Sequence, residues 1–222
     1  MAFLDAVGEA PPPAAPSVLK DARIEAVIAG IRSAQRRPAN GGPYQSAQHG
    51  PHVYADIGFS MHCDQGELIY LLCRALRARR VVEFATSIGF STLYFAAAMR
   101  DNGGGTVIGS EIVPQKIAAA RRQLEAAGLS DYVEIRAGDA RETLRDLGGD
   151  VDFALVDGWP GSERPTLALQ VMQLIAPQMQ GGAIVLNDNA EDDYLEWIRD
   201  AANGFRTMSL PLQGGTELSV KV

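Results

Sequence analysis

Cysteine is nearly absent from the chain: 222 residues carry two, Cys63 and Cys73, ten apart with no CxxC and no clustered histidines. That count excludes a disulfide framework, gives a zinc site no ligand set, and fits a reducing, cytoplasmic compartment. Long apolar runs are missing too. Gly and Pro break every uncharged stretch well short of the ~20 residues a membrane span needs, and no basic segment leads into an apolar core near the N-terminus. No membrane partner is expected. Basic runs stop at the pairs Arg36-Arg37, Arg79-Arg80 and Arg121-Arg122, and the formal net charge is −7. A field of that sign repels phosphate backbones, so no nucleic-acid partner is expected.

What is present is ordinary: 46% hydrophobic and 21% charged residues, enough apolar material for a sizeable core. No stretch in the middle has the composition of a linker, so one α/β core is the default. Residues 11–16, PPPAAP, precede a helical pattern over 18–37 whose stripe is Val18, Ile24, Val27, Ile28 and Ile31. That helix is expected to lie on the core or on a partner subunit. Residues 38–60 are rich in Gly, Pro and His without period, and read as a mobile segment over a site or as a plain surface linker.

From residue 64 the pattern turns regular. DQGELIYLLCRAL reads as a helix with Asp64 as N-cap and Glu67 in the capping-box position, followed by the strand VVEFA. PQKIAAARRQLEAAG is a helix started by Pro114 and stopped by Gly128, ARETLRDL a further helix, and GAIVLND a strand. The strand-helix alternation predicts a doubly wound, mostly parallel sheet. At the end, FRTMSLPL and TELSVKV are joined by QGG with no room for a crossover helix, so they pair antiparallel at one edge.

In such a sheet ligands bind beyond the carboxyl ends of the strands, near the switch in strand order. The residues there are 83–91, Glu111, Gly138-Asp139-Ala140, Asp157-Gly158-Trp159 and Asn187-Asp188-Asn189. The first loop holds one glycine, Gly89, and Ala85 stands where a G-x-G would begin. A methyl group there is tolerable only if no pyrophosphate presses on the backbone, which argues against NAD and FAD. An adenosine ligand without phosphates, S-adenosylmethionine, asks less of the loop. Glu111, 22 residues after Gly89, can accept both ribose hydroxyls, while Asp139 can cap a helix or face the adenine amino group.

VVEFATSIGFSTLYFA, IGSEIVPQKIAAARRQLEAAGLSDYVEIRAGDA, FALVDGW and GGAIVLNDN together resemble the class I methyltransferases, in particular the cation-dependent catechol O-methyltransferase-like family. The resemblance runs over residues 60–222. It implies a seven-stranded, mostly parallel Rossmann-like sheet with a C-terminal antiparallel hairpin and N-terminal helices, divided as residues 1–60 and a methyltransferase domain over 61–222. It further implies S-adenosylmethionine as cofactor and a small-molecule hydroxyl, catechol-like or tailoring, as substrate. Glu83, Ala85, Thr86, Ser87, Gly89 and Ser91 would lie at the methionine end, Glu111 and Ile112 at the ribose, and Gly138, Asp139 and Ala140 at the adenine edge. Met61 would lie near the cofactor and Trp159 would flank the adenine. Asp157, Asp188 and Asn189 would hold Mg²⁺ or a similar cation, a hard-cation set of two carboxylates and an amide oxygen. A homodimer is the implied assembly.

One position departs from the family. The lysine expected three residues after the first metal-binding Asp, the family's general base, is Pro160 here, and Lys20, Lys116 and Lys221 all read as remote from the substrate side. A coordinated cation can itself acidify a hydroxyl, or His62, His52 or Glu163 can take the proton, with His62 beside Met61 the candidate carried as catalytic along with Asp157. Two alternatives stay open: a metal-independent N-methyltransferase and a catalytically silent cofactor-binding subunit. Equally open is the plain reading of Asp157 as a strand-end acid and of Asp188-Asn189 as turn formers.

Overall fold

The computed structural model describes residues 17–34, 50–159, 163–212 and 215–222. Its centre is β1 (Arg80–Phe84), the RVVEF run, whose last four residues are buried. Burial on both faces is what a near-continuous apolar run without alternation predicts for a central parallel strand. On one side β1 pairs in parallel with β2 (Thr106–Glu111), and β2 with β3 (Val133–Ala137). On the other side it pairs in parallel with β4 (Val151–Val156), and β4 with β5 (Met179–Asp188). Beyond β5 lie β7 (Thr216–Lys221) and β6 (Phe205–Leu210), both antiparallel to their neighbours, giving the order β3-β2-β1-β4-β5-β7-β6. The doubly wound sheet with its C-terminal hairpin is as the sequence predicts, and the order reverses between β1 and β4.

Strand periodicity divides the core in two. Val81, Val107, Phe153, Leu155, Ile184 and Leu186 face α1 (Ala22–Ala34), α2 (Cys63–Leu76), α3 (Phe90–Asp101) and α4 (Pro114–Ala127). Val82, Ile108, Ala154, Val156 and Val185 face α5 (Ala140–Thr143), α6 (Leu167–Ile175) and α7 (Asp192–Arg199). The α3 helix is buried from Phe90 to Met99, because α2 covers the side that the sheet does not. The amphipathic α1 packs on the chain's own core: Ile24, Ile28 and Ile31 are buried against α3 and α4. Arg23 donates to the carbonyl oxygens of Glu125 and Ala126, which end α4, and Arg100 pairs with Asp21 at 2.6 Å.

Several element boundaries differ from the sequence reading. The α2 helix begins at Cys63 with His62 as N-cap, and Gln65, not Glu67, accepts from the N-cap backbone N–H at 3.0 Å. The ARETLRDL helix is a single turn, because Leu144 and Leu147 turn into the core and Gly148-Gly149 adopt positive φ. The β5 strand starts at Met179, so it carries Gly181 and Gly182 within it. Of the expected 18–37 helix, residues 22–34 are helical and 35–37 lie outside the described residues.

Candidate active site

The loop after β1 is built under strain. Ala85 (φ 69°), Ser87 (φ 51°) and Gly89 (φ 88°) all occupy the left-handed region within five residues. For Ala and Ser this costs roughly 1 kcal/mol or more each, the kind of local strain found where backbone must face a ligand. The sequence reading found left-handed freedom at Gly89 alone. Tertiary contacts hold the loop: the N–H groups of Ala85 and Thr86 both donate to the Ser110 carbonyl of β2, at 3.1 and 3.0 Å. Gly109 is needed beside it, since a Cβ there would collide with the Thr86 hydroxyl.

Glu83, one residue from the end of β1, is fully buried and accepts hydrogen bonds from the Ser91 hydroxyl and from Thr92 Oγ1 at 2.6 Å. Burial pushes its carboxyl up to about 7, against the opposing effect of the Ser91, Thr92 and Thr86 hydroxyls and with a contribution from Glu111. Glu111, at the end of β2, is also buried. Its Oε2 accepts from Ser87 N at 2.8 Å, and its Oε1 accepts from Ile112 N at 2.9 Å and Val113 N at 2.8 Å. The carboxylate expected at a ribose is thus oriented by three backbone donors. Asp139 takes the capping alternative: it N-caps α5 by accepting from Arg141 N at 2.9 Å and is paired with the Arg141 guanidinium, which holds its carboxyl below the usual range. Gly138 (φ 134°) donates to the Glu111 carbonyl, and Ala140 is buried behind it.

At the ends of β4 and β5 stand Asp157 and Asp188. Removal of the Asp157 carboxyl from water raises its pKa, and the charges of Asp188 and Glu83 raise it further. Asp188 is shifted upward by burial too, although it accepts from Gln65 Nε2 at 2.9 Å, Thr216 Oγ1 at 3.2 Å and Asn189 Nδ2 at 3.0 Å, and feels the positive side of His62. Gln65 Nε2 also donates to Thr216 Oγ1 at 2.9 Å, so this buried amide ties the start of α2 to β5 and β7. Neither Gln65 nor Thr216 was singled out by the sequence. Of the three histidine and glutamate candidates, His62 lies within electrostatic reach of Asp188, His52 is exposed, and Glu163 lies 3.8 Å from Arg141. Pro160 lies outside the described residues.

Over these strand ends runs the segment 50–61. Tyr54 is buried and packs on Trp159 (centroids 5.2 Å apart), Phe59 packs on both Tyr54 (5.5 Å) and Trp159 (6.0 Å), and Met61 is buried in the core. Of the period-free segment, residues 38–49 lie outside the described residues, and its described part contributes buried Tyr54 and half-buried Phe59 to an aromatic cluster with half-buried Trp159. Lys116 corrects a second expectation: it is 4% exposed, with its Nζ 5.1 Å from the Phe59 ring centroid, beside this cluster rather than remote from it. Ile112 remains exposed.

Whether a cofactor and a cation suit these residues can be judged from what is left unpaired. Ser60 Oγ, Ser87 Oγ, Trp159 Nε1 and Asn187 Oδ1 are buried without hydrogen-bond partners among the described residues. Orphans of this kind are rare in folded proteins and here surround the loop and the strand ends, as a polar ligand requires. No three His, Cys, Asp or Glu side chains among the described residues group as metal ligands. Two acids that disfavour each other's ionisation, with an amide next in the chain, nevertheless suit a hard divalent cation, whose charge would reverse the upward shifts.

Sheet order, strained first loop and acids at consecutive strand ends define the class I S-adenosylmethionine-dependent methyltransferase fold. Residues 82–190 match the family described as a methyltransferase domain. A catechol O-methyltransferase from Mycobacterium tuberculosis is 34% identical over 131 residues, 59% of this chain and 56% of that one. Caffeoyl-CoA O-methyltransferase from Zea mays is 26% identical over 151 residues, 62% of this chain and 58% of that one. The chain thus spans less than two thirds of the length of these curated relatives. In fold it is similar to an O-methyltransferase from Bacillus cereus in complex with SAH, with TM-score 0.66 and 20% identity over 91% of this chain and 92% of that one. It is similarly close to TomG from Streptomyces achromogenes in complex with SAM, with TM-score 0.61 and 20% identity over 89% and 96%. The chain therefore carries a methyltransferase domain on a class I methyltransferase fold and is similar to catechol O-methyltransferases.

Proposed function

We propose that the protein is an O-methyltransferase that moves the methyl group of S-adenosylmethionine to a hydroxyl of a small aromatic diol, assisted by a divalent cation such as Mg²⁺. The observation that carries this reading is the convergence of Asp157 and Asp188, each pushed toward protonation, with Asn189 beside them at φ 58°. S-adenosylmethionine supplies an electrophilic methyl on a sulfonium, and a cation would acidify a coordinated hydroxyl.

The chain's own residues supply alignment and water exclusion. Glu83 is a buried acid poised near neutrality, which an ammonium placed against it would ionise. Ser91 and Thr92 hold that carboxyl, and Glu111 offers the remaining lone pairs of a carboxylate already oriented by three N–H donors. Asp157, Asp188 and Asn189 would hold the cation, with Gln65 and Thr216 keeping Asp188 in place. Tyr54, Phe59 and Trp159 cover the site. His62, at the N-cap of α2 and within electrostatic reach of Asp188, is the base this reading assigns to the hydroxyl proton. Residues 61–222 are read as the methyltransferase domain, with 50–60 contributing its cover. A cytoplasmic protein with no nucleic-acid or membrane partner remains the expectation; no helix among the described residues is long and apolar enough to cross a membrane.

The test is calorimetric titration of metal-free protein with S-adenosylmethionine and then a catechol analogue, each with and without Mg²⁺. Metal-dependent diol binding on top of cofactor binding is expected, and chelation and Asp188→Ala should each lower turnover at least about a hundredfold, since both deprive the site of the cation. Pro160 in place of the family's lysine favours one rival, a silent cofactor-binding subunit. Cofactor binding without turnover on any diol would select it, and activity that survives chelation yet needs Asp157 would select an N-methyltransferase.

A further inference from the structure

Lys116 is placed at a cost on three counts. It is 4% exposed, and no hydrogen bond or ion pair joins its Nζ to any described residue; the Nζ lies 5.1 Å from the Phe59 ring centroid and within reach of the Glu111 charge. Taking most of a lysine side chain out of water with no acceptor among the described residues is unfavourable, and the cation–π contact and the Glu111 charge offset only part of that. It also stands in the first turn of α4, a 14-residue helix, where the backbone dipole favours anions and opposes cations. Desolvation accordingly lowers its pKa, with the charge of Glu111 opposing. A side chain so disfavoured in the free protein is explained by a ligand that relieves it.

What would relieve it is an anion. A carboxylate beside Lys116 would meet both the ammonium and the positive end of α4, whereas the neighbouring strand ends carry Glu83, Glu111, Asp157 and Asp188 and repel negative charge. The adjacent surfaces are aromatic: Phe59 under the ammonium, with Tyr54 and Trp159 packed edge-on against it and the Trp159 indole N–H buried without a partner among the described residues. We propose that Lys116, together with the Tyr54-Phe59-Trp159 cluster, forms a subsite for a carboxylate carried by the aromatic methyl acceptor, so that the substrate is an aromatic acid. This rests on the methyltransferase reading of the site and specifies the class of its acceptor.

The experiment uses the full chain saturated with S-adenosylhomocysteine and Mg²⁺, titrated calorimetrically with a dihydroxybenzoate and with the matching neutral dihydroxybenzamide. The wild type should bind the acid roughly tenfold or more tightly than the amide, the worth of one charge-assisted hydrogen bond. In Lys116→Met that ratio should fall toward one, and in Lys116→Arg most of it should remain. Equal wild-type affinities overturn the proposal without need of any variant. So does a preference that survives in Lys116→Met, or a variant that loses S-adenosylhomocysteine binding while keeping the ratio, since Lys116 would then serve Glu111. Equal affinity for both diols, with both methylated in a parallel assay that supplies S-adenosylmethionine, would leave the methyltransferase reading standing. Cofactor binding with neither diol bound would remove both.

Discussion

Glu83 illustrates how far burial moves a side chain from its ordinary chemistry. Its carboxyl titrates near 7 in the fold and near 4.5 in the open chain, so the folded state holds the proton longer. Stability is then greatest below pH 4.5 and falls as the pH rises to about 7, by on the order of 3 kcal/mol in all. Glu83→Gln removes the titration and keeps an acceptor for Ser91 and Thr92. Its melting temperature relative to wild type, both without ligand, should climb between pH 4.5 and pH 8, while its affinity for S-adenosylmethionine drops at least about tenfold. A melting difference that is flat with pH would show that Glu83 does not titrate in this range. The strand-end acids were legible because strands are short and their carboxyl ends are marked by Gly, Asp and Asn. Gln65 was not: its partners Asp188 and Thr216 lie 123 and 151 residues away, and nothing local distinguishes a helical glutamine that reaches across the sheet.

Among elements, the C-terminal hairpin depends most on a single pair. Glu217, near the start of β7 between β5 and the edge strand β6, is 3% exposed, and burial alone would raise its pKa; Arg199 from α7, with Ser209 and Thr207, overrides this and lowers it to about 2. Both Arg199 contacts are 2.9 Å. The stabilisation is present above the open-chain value of 4.5 and lost as pH falls through about 2. Arg199→Met should therefore cost about 1–3 kcal/mol in urea unfolding at pH 7, a figure kept low because Arg199 is half-exposed, and the difference should shrink toward pH 2. A cost that is the same at both pH values would count against the pair. Element type was legible throughout, from period and from Pro114 and Gly128, whereas the start of α2 was not. Asp64 and Glu67 form a good capping pattern, and the rival pair His62 and Gln65 wins because Gln65 must also reach Asp188.

For the whole molecule, the question left by the sequence was where the N-terminal helix goes. Because Ile24, Ile28 and Ile31 spend the apolar face of α1 on the core, Ile28→Ala should lower stability by about 2–4 kcal/mol and keep a single unfolding transition. A separate early transition would make the helix an appendage. The same packing withdraws that face as a dimer surface, so the homodimer now rests on family resemblance and on exposed apolar residues such as Leu71 and Met208. Sedimentation velocity at micromolar concentration should give twice the mass of 23.7 kDa, and a monomer would end that expectation.

The sequence by itself determined the sheet, its direction of winding, its antiparallel end and the acids at its active edge. These follow from periodicities of two and 3.6 and from turn residues, which act within a few positions. Only the tertiary structure decided the conformation of Ala85 and Ser87, the burial of Lys116 against Phe59, and the Gln65 bridge between α2, β5 and β7. Each of these is set by a neighbour far away in the chain, and the energies involved, strain, desolvation and charge, depend on what surrounds a residue and not on what precedes it.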